Sequence, residues 1–156
     1  MPRRSRFIAR HVDHAATLTV ERPLAEAMAL FTPEGERRWV PGWDPEYFFR
    51  ADEDGPDTAF RTTHDGEETL WMVLDADLEE GSAGYARITP GSRMGTVMID
   101  GEAIDDTSCW ITVTYELTAL SEEGNAVLER FTQGAFEEMI RDWGAAIAAL
   151  DAAAPA

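Results

Sequence analysis

The sequence contains no lysine: all 13 of its basic residues are arginine. That absence removes the phosphate-cradling lysine of nucleotide-binding loops, the Schiff-base nucleophile and the lysine of a kinase-type pair. Cysteine is nearly as scarce. Cys109 stands alone, which excludes an intramolecular disulfide and any multi-cysteine zinc or iron–sulfur site, and makes a reducing cytoplasm the expected setting. Positive charge is in short supply too, since 30 acidic residues leave a formal net charge of −17. Arg3, Arg4, Arg6 and Arg10 crowd into the first ten residues, so the remainder is more acidic still. A nucleic-acid partner is not expected, because phosphate binding depends on Lys and Arg releasing counterions. No stretch approaches the roughly 18 apolar residues of a membrane span. The run Arg3-Arg4-Ser5-Arg6-Phe7 hints at an export signal, but charge and histidine follow it where an apolar stretch is needed. Stable membrane anchoring is not expected either, the four N-terminal arginines being the one basic patch on offer to a negative bilayer.

What is present reads as a globular chain. With 156 residues, 44% of them apolar and 28% charged, the sequence suits a single domain over 1–156, with an ordered core of about residues 7–150 and frayed termini. From Phe7 to Val20, the apolar positions Ile8, Val12, Leu18 and Val20 share one parity, which predicts a first strand. Pro23 then opens a short helix with Leu24, Ala27, Met28 and Phe31 at helical spacing, and Pro33 opens a second that ends by Val40-Pro41-Gly42. Six further strands are expected at Tyr47 to Ala51, Thr58 to His64, Thr69 to Leu78, Ala83 to Pro90, Gly95 to Ile104 and Thr107 to Leu120. Turn signals such as Asp65-Gly66 and Pro90-Gly91 separate them, as in an antiparallel meander. After Ser121, the residues Leu128, Phe131, Phe136, Met139, Ile140, Trp143, Ile147 and Leu150 form an apolar stripe that predicts one long C-terminal helix. Its partner is one face of the sheet, and a sheet wrapped round a single helix leaves a space for a ligand.

This order of elements, with Phe31-Thr32-Pro33-Glu34-Gly35-Glu36, Trp39-Val40-Pro41-Gly42-Trp43-Asp44-Pro45 and Tyr115-Glu116-Leu117-Thr118-Ala119-Leu120-Ser121, resembles the SRPBCC or START-like superfamily over roughly Phe7 to Leu150. The resemblance implies an α+β helix-grip fold: about seven antiparallel strands curved round a long C-terminal helix, with two short helices after the first strand. It also implies a hydrophobic cavity. Relatives include lipid carriers, hormone receptors, aromatic polyketide cyclases and activators of a chaperone ATPase, and no catalytic motif is common to them.

The leading expectation is therefore a module that binds a small hydrophobic or aromatic molecule between sheet and helix. Candidate lining residues are Trp39, Trp43, Phe48, Trp71, Met72, Tyr85, Arg87, Met98, Tyr115, Phe131, Phe136 and Met139. Trp39 and Trp43 read either as a rim at the cavity mouth or as plugs between helices and sheet. On the last strand, Cys109, Ile111, Val113, Tyr115 and Leu117 should face the helix, leaving the Tyr115 hydroxyl in need of a partner. Arg87 shares a face with Tyr85, and an inward Arg87 would anchor a carboxylate. The scarcity of buried unpaired arginine favours instead a solvated outer face for it.

No metal or other cofactor is expected. His11 and His14 are three apart, so a strand points them to opposite faces, and His64 could join only one of them. The run Asp75-Ala76-Asp77-Leu78-Glu79 fails as a calcium loop, with Glu80 where glycine is needed and Ala86 where glutamate is. No serine sits in a nucleophile elbow, and Cys109 reads as a small buried hydrophobe. The alternatives are a cyclase or aromatase-like enzyme using Tyr115, Arg87 or His64, and a ligand-free interaction module. Among acid–base candidates, Glu116 and Asp75 stand beside His64 and Tyr115. A homodimer is compatible with each.

Overall fold

The computed structural model describes residues 7–152. The basic residues Arg3, Arg4 and Arg6, and the expected fraying of the tail from Ala153, lie outside them. Seven strands form one antiparallel sheet: β1 (His11–Val20), β2 (Glu46–Phe49), β3 (Ala59–His64), β4 (Glu67–Asp77), β5 (Ser82–Thr89), β6 (Arg93–Asp105) and β7 (Ser108–Ala119), in the spatial order β1-β7-β6-β5-β4-β3-β2. From β2 to β7 the sheet is a simple meander. Its hairpins turn where the sequence supplies left-handed conformations, as at Asp65 and Gly66 (φ 51° and 79°), a two-residue loop whose twist matches the flanking strands. The chain then closes the sheet by returning β1 to β7, with Leu18 opposite Ile111 and Val20 opposite Cys109.

β1 begins at His11 rather than Phe7. Its partner β7 ends at Ala119, whose N–H donates to the Arg10 carbonyl (2.9 Å), so Phe7 and Ile8 lie beyond the last available strand and are exposed. Between β1 and β2 come a short helix α1 (Leu24–Ala29) and a four-residue 3₁₀ turn, Gly35–Arg38, where a second short helix was expected.

The long C-terminal helix is interrupted. α2 spans Glu122–Arg130 and α3 spans Gln133–Ala152, because Phe131 leaves the helical region (φ −88°, ψ 68°) and the Thr132 hydroxyl accepts from the Ala135 N–H (3.1 Å) to start α3. His14 on β1 braces this junction, its Nε2 2.7 Å from the Phe131 carbonyl oxygen. The stripe still does what its spacing predicts. Phe136, Ile140 and Ile147 are buried, together with the inward residues of β7: Cys109, Ile111, Val113, Tyr115 and Leu117.

Candidate functional site

Three features of the fold open a cavity of about 300 Å³ between the sheet, the 3₁₀ turn and α3. The first is the connection after the 3₁₀ turn. Val40-Pro41-Gly42-Trp43 is a tight turn with proline second and glycine third (φ 75°), closed by the Trp43 N–H donating to the Val40 carbonyl (3.2 Å). It folds the Trp43 indole back over β3 and β4, where its Nε1 donates to the Pro33 carbonyl (2.8 Å). The second is the register of the sheet's inner face, which places Phe60, Trp71, Arg87, Gly95 and Leu117 side by side across five strands. Gly95 lets β6 and β7 come together closely here, since a β-carbon would stand 1.8 Å from the Glu116 carbonyl oxygen. The third is Trp143 on α3, which closes the side opposite the sheet.

The walls are aromatic. Trp43 meets Trp71 edge to face (centroids 5.6 Å, 72°), Trp71 stacks on Phe60 (6.0 Å, 4°), and Tyr115 lies against Trp143 (6.3 Å). Exposed residues of the Pro41-Gly42 turn and of the β3–β4 hairpin, Thr63, His64 and Glu67, form the rim. A smaller recess of about 20 Å³ continues inward past Trp43 and Tyr115 to Phe31, Phe60, Tyr85, Val97 and Ile99.

Polar groups in this apolar space are few and strongly perturbed. Arg87 points inward, contrary to the outer-face reading. The parity it shares with buried Tyr85 wins over the rarity of buried arginine, because the cavity itself takes the charged end. Its guanidinium lies over the Trp71 ring, 4.8 Å from the centroid. Desolvation lowers its pKa, but from so high an ordinary value that it stays charged. Burial pushes the Tyr115 hydroxyl up to about 12, against the opposing pull of Arg87. The Tyr85 hydroxyl has a partner in the Phe31 carbonyl (2.7 Å) and is raised further by its burial.

Glu36 is the residue the sequence reading missed. It is half-buried, but it faces the cavity rather than bulk water, and burial raises its carboxyl well above the ordinary range. The neighbouring acid, Glu34, is instead held low by the Tyr47 hydroxyl and Arg37. The sign for stability follows from Glu36's raised value. Between its unfolded value of 4.5 and its higher folded value, the folded chain holds one proton more, so stability falls as pH rises through that window. Glu36→Gln is therefore expected to match the parent in thermal unfolding at pH 4 and to melt at least about 2 °C higher at pH 8. Equal melting temperatures at pH 8 would mean that Glu36 is solvated.

The structure divides the other sequence candidates. Trp43, Trp71, Arg87 and Tyr115 line the cavity, and Tyr85 lines its inner recess. Trp39 does not line it: its Nε1 donates to the Leu30 carbonyl (2.8 Å), and its ring packs edge-on against Phe31 and Trp143 as a core plug. Phe131 and Phe136 pack on Tyr115 from the far side, and Met139 packs against the same core. Three candidates stand on the outer face. Phe48 is 62% exposed on an edge strand broken by a bulge, beneath the Arg61 guanidinium. Met72 is 44% exposed between the inward Trp71 and Val73, and Met98 lies over Gly84. His64 is at the rim with a largely exposed side chain 3.2 Å from Asp65. His11 and His14 do face opposite ways, with His11 on the outside beside Glu116 and Thr118. Among the described residues no cluster of three or more His, Cys, Asp or Glu could hold a metal ion, and no helix is long and apolar enough to cross a membrane.

No protein family and no curated protein matches the sequence. Solved structures do match. Norcoclaurine synthase from Thalictrum flavum superposes with a TM-score of 0.68 at 16% identity, covering 97% of this chain and 99% of that one. The same enzyme in complex with dopamine and hydroxybenzaldehyde gives 0.66 at 16%, covering 100% and 98%. Ara h 8.0201 gives 0.60 at 15%, covering 90% and 99%, and an uncharacterised protein from Rhizobium leguminosarum gives 0.60 at 15%, covering 90% and 96%. What is shared at these identities is the fold: the chain has the helix-grip architecture of the birch-pollen-allergen type.

Proposed function

We propose, from the helix-grip fold shared with these structures, that the chain binds one small hydrophobic or aromatic molecule in the cavity between the sheet and α3. The observation that carries this reading is the cavity of about 300 Å³ walled by Trp43, Trp71 and Trp143. That volume is at the lower end of ligand sites, which suits a compound of one or two rings better than a long lipid chain. The synthase that holds dopamine and hydroxybenzaldehyde has the same architecture, which supports an aromatic occupant. The lone, buried Cys109 fits a reducing cytoplasm.

The test is native mass spectrometry of gently purified protein followed by denaturation. A stoichiometric apolar compound released on denaturation supports the reading. So does apo protein that takes up the neutral dye Nile red one to one. An apo mass, with no dye uptake and no thermal shift across lipids and aromatic compounds, overturns it and favours an interaction module.

A second reading, acid–base catalysis on the bound molecule, draws on Glu36, Tyr115 and Arg87 sharing one cavity. Chemical change of a bound compound on incubation, abolished in Tyr115→Phe, is its expected sign.

A further inference from the structure

Among the described residues, Arg87 faces the cavity with donors left unmet. A guanidinium carries five N–H donors, yet its partners here are neutral hydroxyls, Tyr115 and a long contact from Nη2 to Thr89 (3.4 Å), and Nε is buried without a partner. Among the described residues no carboxylate lies within ion-pair distance of it. The side chain is part-buried with its Nε closed off from solvent, and an unpaired buried charge is among the costlier things a fold can carry. The Trp71 ring lies beneath the guanidinium, and both side chains face the cavity.

The surrounding charges point the same way. Arg93 also lines the cavity, but Glu67 already engages it through both oxygens (2.8 and 3.2 Å). Burial disfavours the charged form of Glu36, which makes no ion pair with Arg87, and His64 sits out at the rim. In a chain of net charge −17, the interior of this cavity is therefore positive by one unneutralised arginine. One such charge, with no lysine and no second free arginine beside it, matches a monoanion; a phosphate dianion would lack a counter-charge. The indoles of Trp43, Trp71 and Trp143 supply the apolar remainder of the site.

We infer that the cavity's ligand is an aromatic monocarboxylic acid of one or two rings, its carboxylate paired with the Arg87 guanidinium and its ring held among Trp43, Trp71 and Trp143. This rests on the binding reading above and adds the ligand's charge and its anchor. A planar guanidinium meets a carboxylate through two parallel N–H bonds, and the Trp71 ring beneath it backs that contact.

The experiment is isothermal titration of the full chain with benzoate and 2-naphthoate against their uncharged counterparts benzamide and 2-naphthamide. Nile red displacement runs alongside as a charge-independent readout of the pocket. The acid is expected to bind at least about tenfold more tightly than its amide, as a charge-assisted pair in a desolvated site requires. Arg87→Gln should erase that preference by weakening the acid more than the amide, and Arg87→Lys should restore part of it. The comparison of acid with amide on the parent chain stands even if Arg87→Gln does not fold. Equal affinities for acid and amide, or an acid preference that survives Arg87→Gln, overturn this inference and leave the binding reading intact. Failure of every compound, together with no uptake of Nile red, overturns both.

Discussion

Phe136→Ala is expected to cost about 3–5 kcal/mol of folding stability, a fall in melting temperature on the order of 10 °C for a chain of this size. Phe136 is 0% exposed, and its ring sits 5.3 Å from that of Tyr115, 5.8 Å from Phe131 and 5.8 Å from His14. These partners belong to β7, to the junction between α2 and α3, and to β1, so no single element can move to fill the hole. The damage should extend past stability. Tyr115 packs against Phe136 and lines the cavity, so losing this backing loosens the cavity floor. Urea unfolding followed by near-ultraviolet circular dichroism measures the first effect, and Nile red affinity the second. A loss below about 1.5 kcal/mol would show that the α2–α3 junction collapses onto the vacancy.

Gly35→Ala should be comparably damaging for the opposite reason. A β-carbon at this position would stand 1.9 Å from the Ala29 carbonyl oxygen and 2.9 Å from the Leu30 Cα, both backbone atoms at the end of α1 that have no side-chain freedom to yield. The 3₁₀ turn must then move away from α1. That would strain the bond from Trp39 Nε1 to the Leu30 carbonyl and shift Glu36, which the turn carries into the cavity. Overpacking ordinarily costs about 1–3 kcal/mol, and a backbone collision of this size belongs at or above the upper end. The expected result is a melting temperature lower by several degrees together with loss of dye binding. A variant with parental stability and binding would mean that the 3₁₀ turn moves freely against α1.

The strands and their inward faces were legible because one property decided them. On β7 every second residue is apolar, and a register slip would turn the whole set outward, so the pattern admits one solution. The site was less legible, and for separable reasons. Trp71-Met72-Val73 is apolar on both parities, and parity alone could not show that Met72 faces out. At Arg87 parity did give the answer, but the rarity of buried arginine outweighed it. That rule holds for packed cores, and it fails where a cavity receives the charge. Glu36 lay beyond any local pattern. Which of two acids in one short turn faces the sheet depends on the angle at which the turn crosses it, set by Gly35 against Ala29 in space. The break between α2 and α3 left a trace in Thr132, a good helix-starting residue, that the unbroken apolar stripe concealed.

The pairing of β1 with β7 sets a timetable for the chain as it is made. His11 finds its partner at Thr118 and Val20 at Cys109, so the first strand emerges long before the strand it pairs with. At synthesis rates of about 5–20 residues per second, β1 waits on the order of ten seconds with its pairing edge open. The meander from β2 to β6 can assemble meanwhile through neighbours close in sequence, but the inner face of the sheet stays uncovered until β7 and then α3 arrive. Between the emergence of β6 and that of β7 the nascent chain exposes an apolar sheet lacking both its closing strand and its covering helix. Such a nascent chain is a substrate for chaperones, whatever the stability of the finished protein.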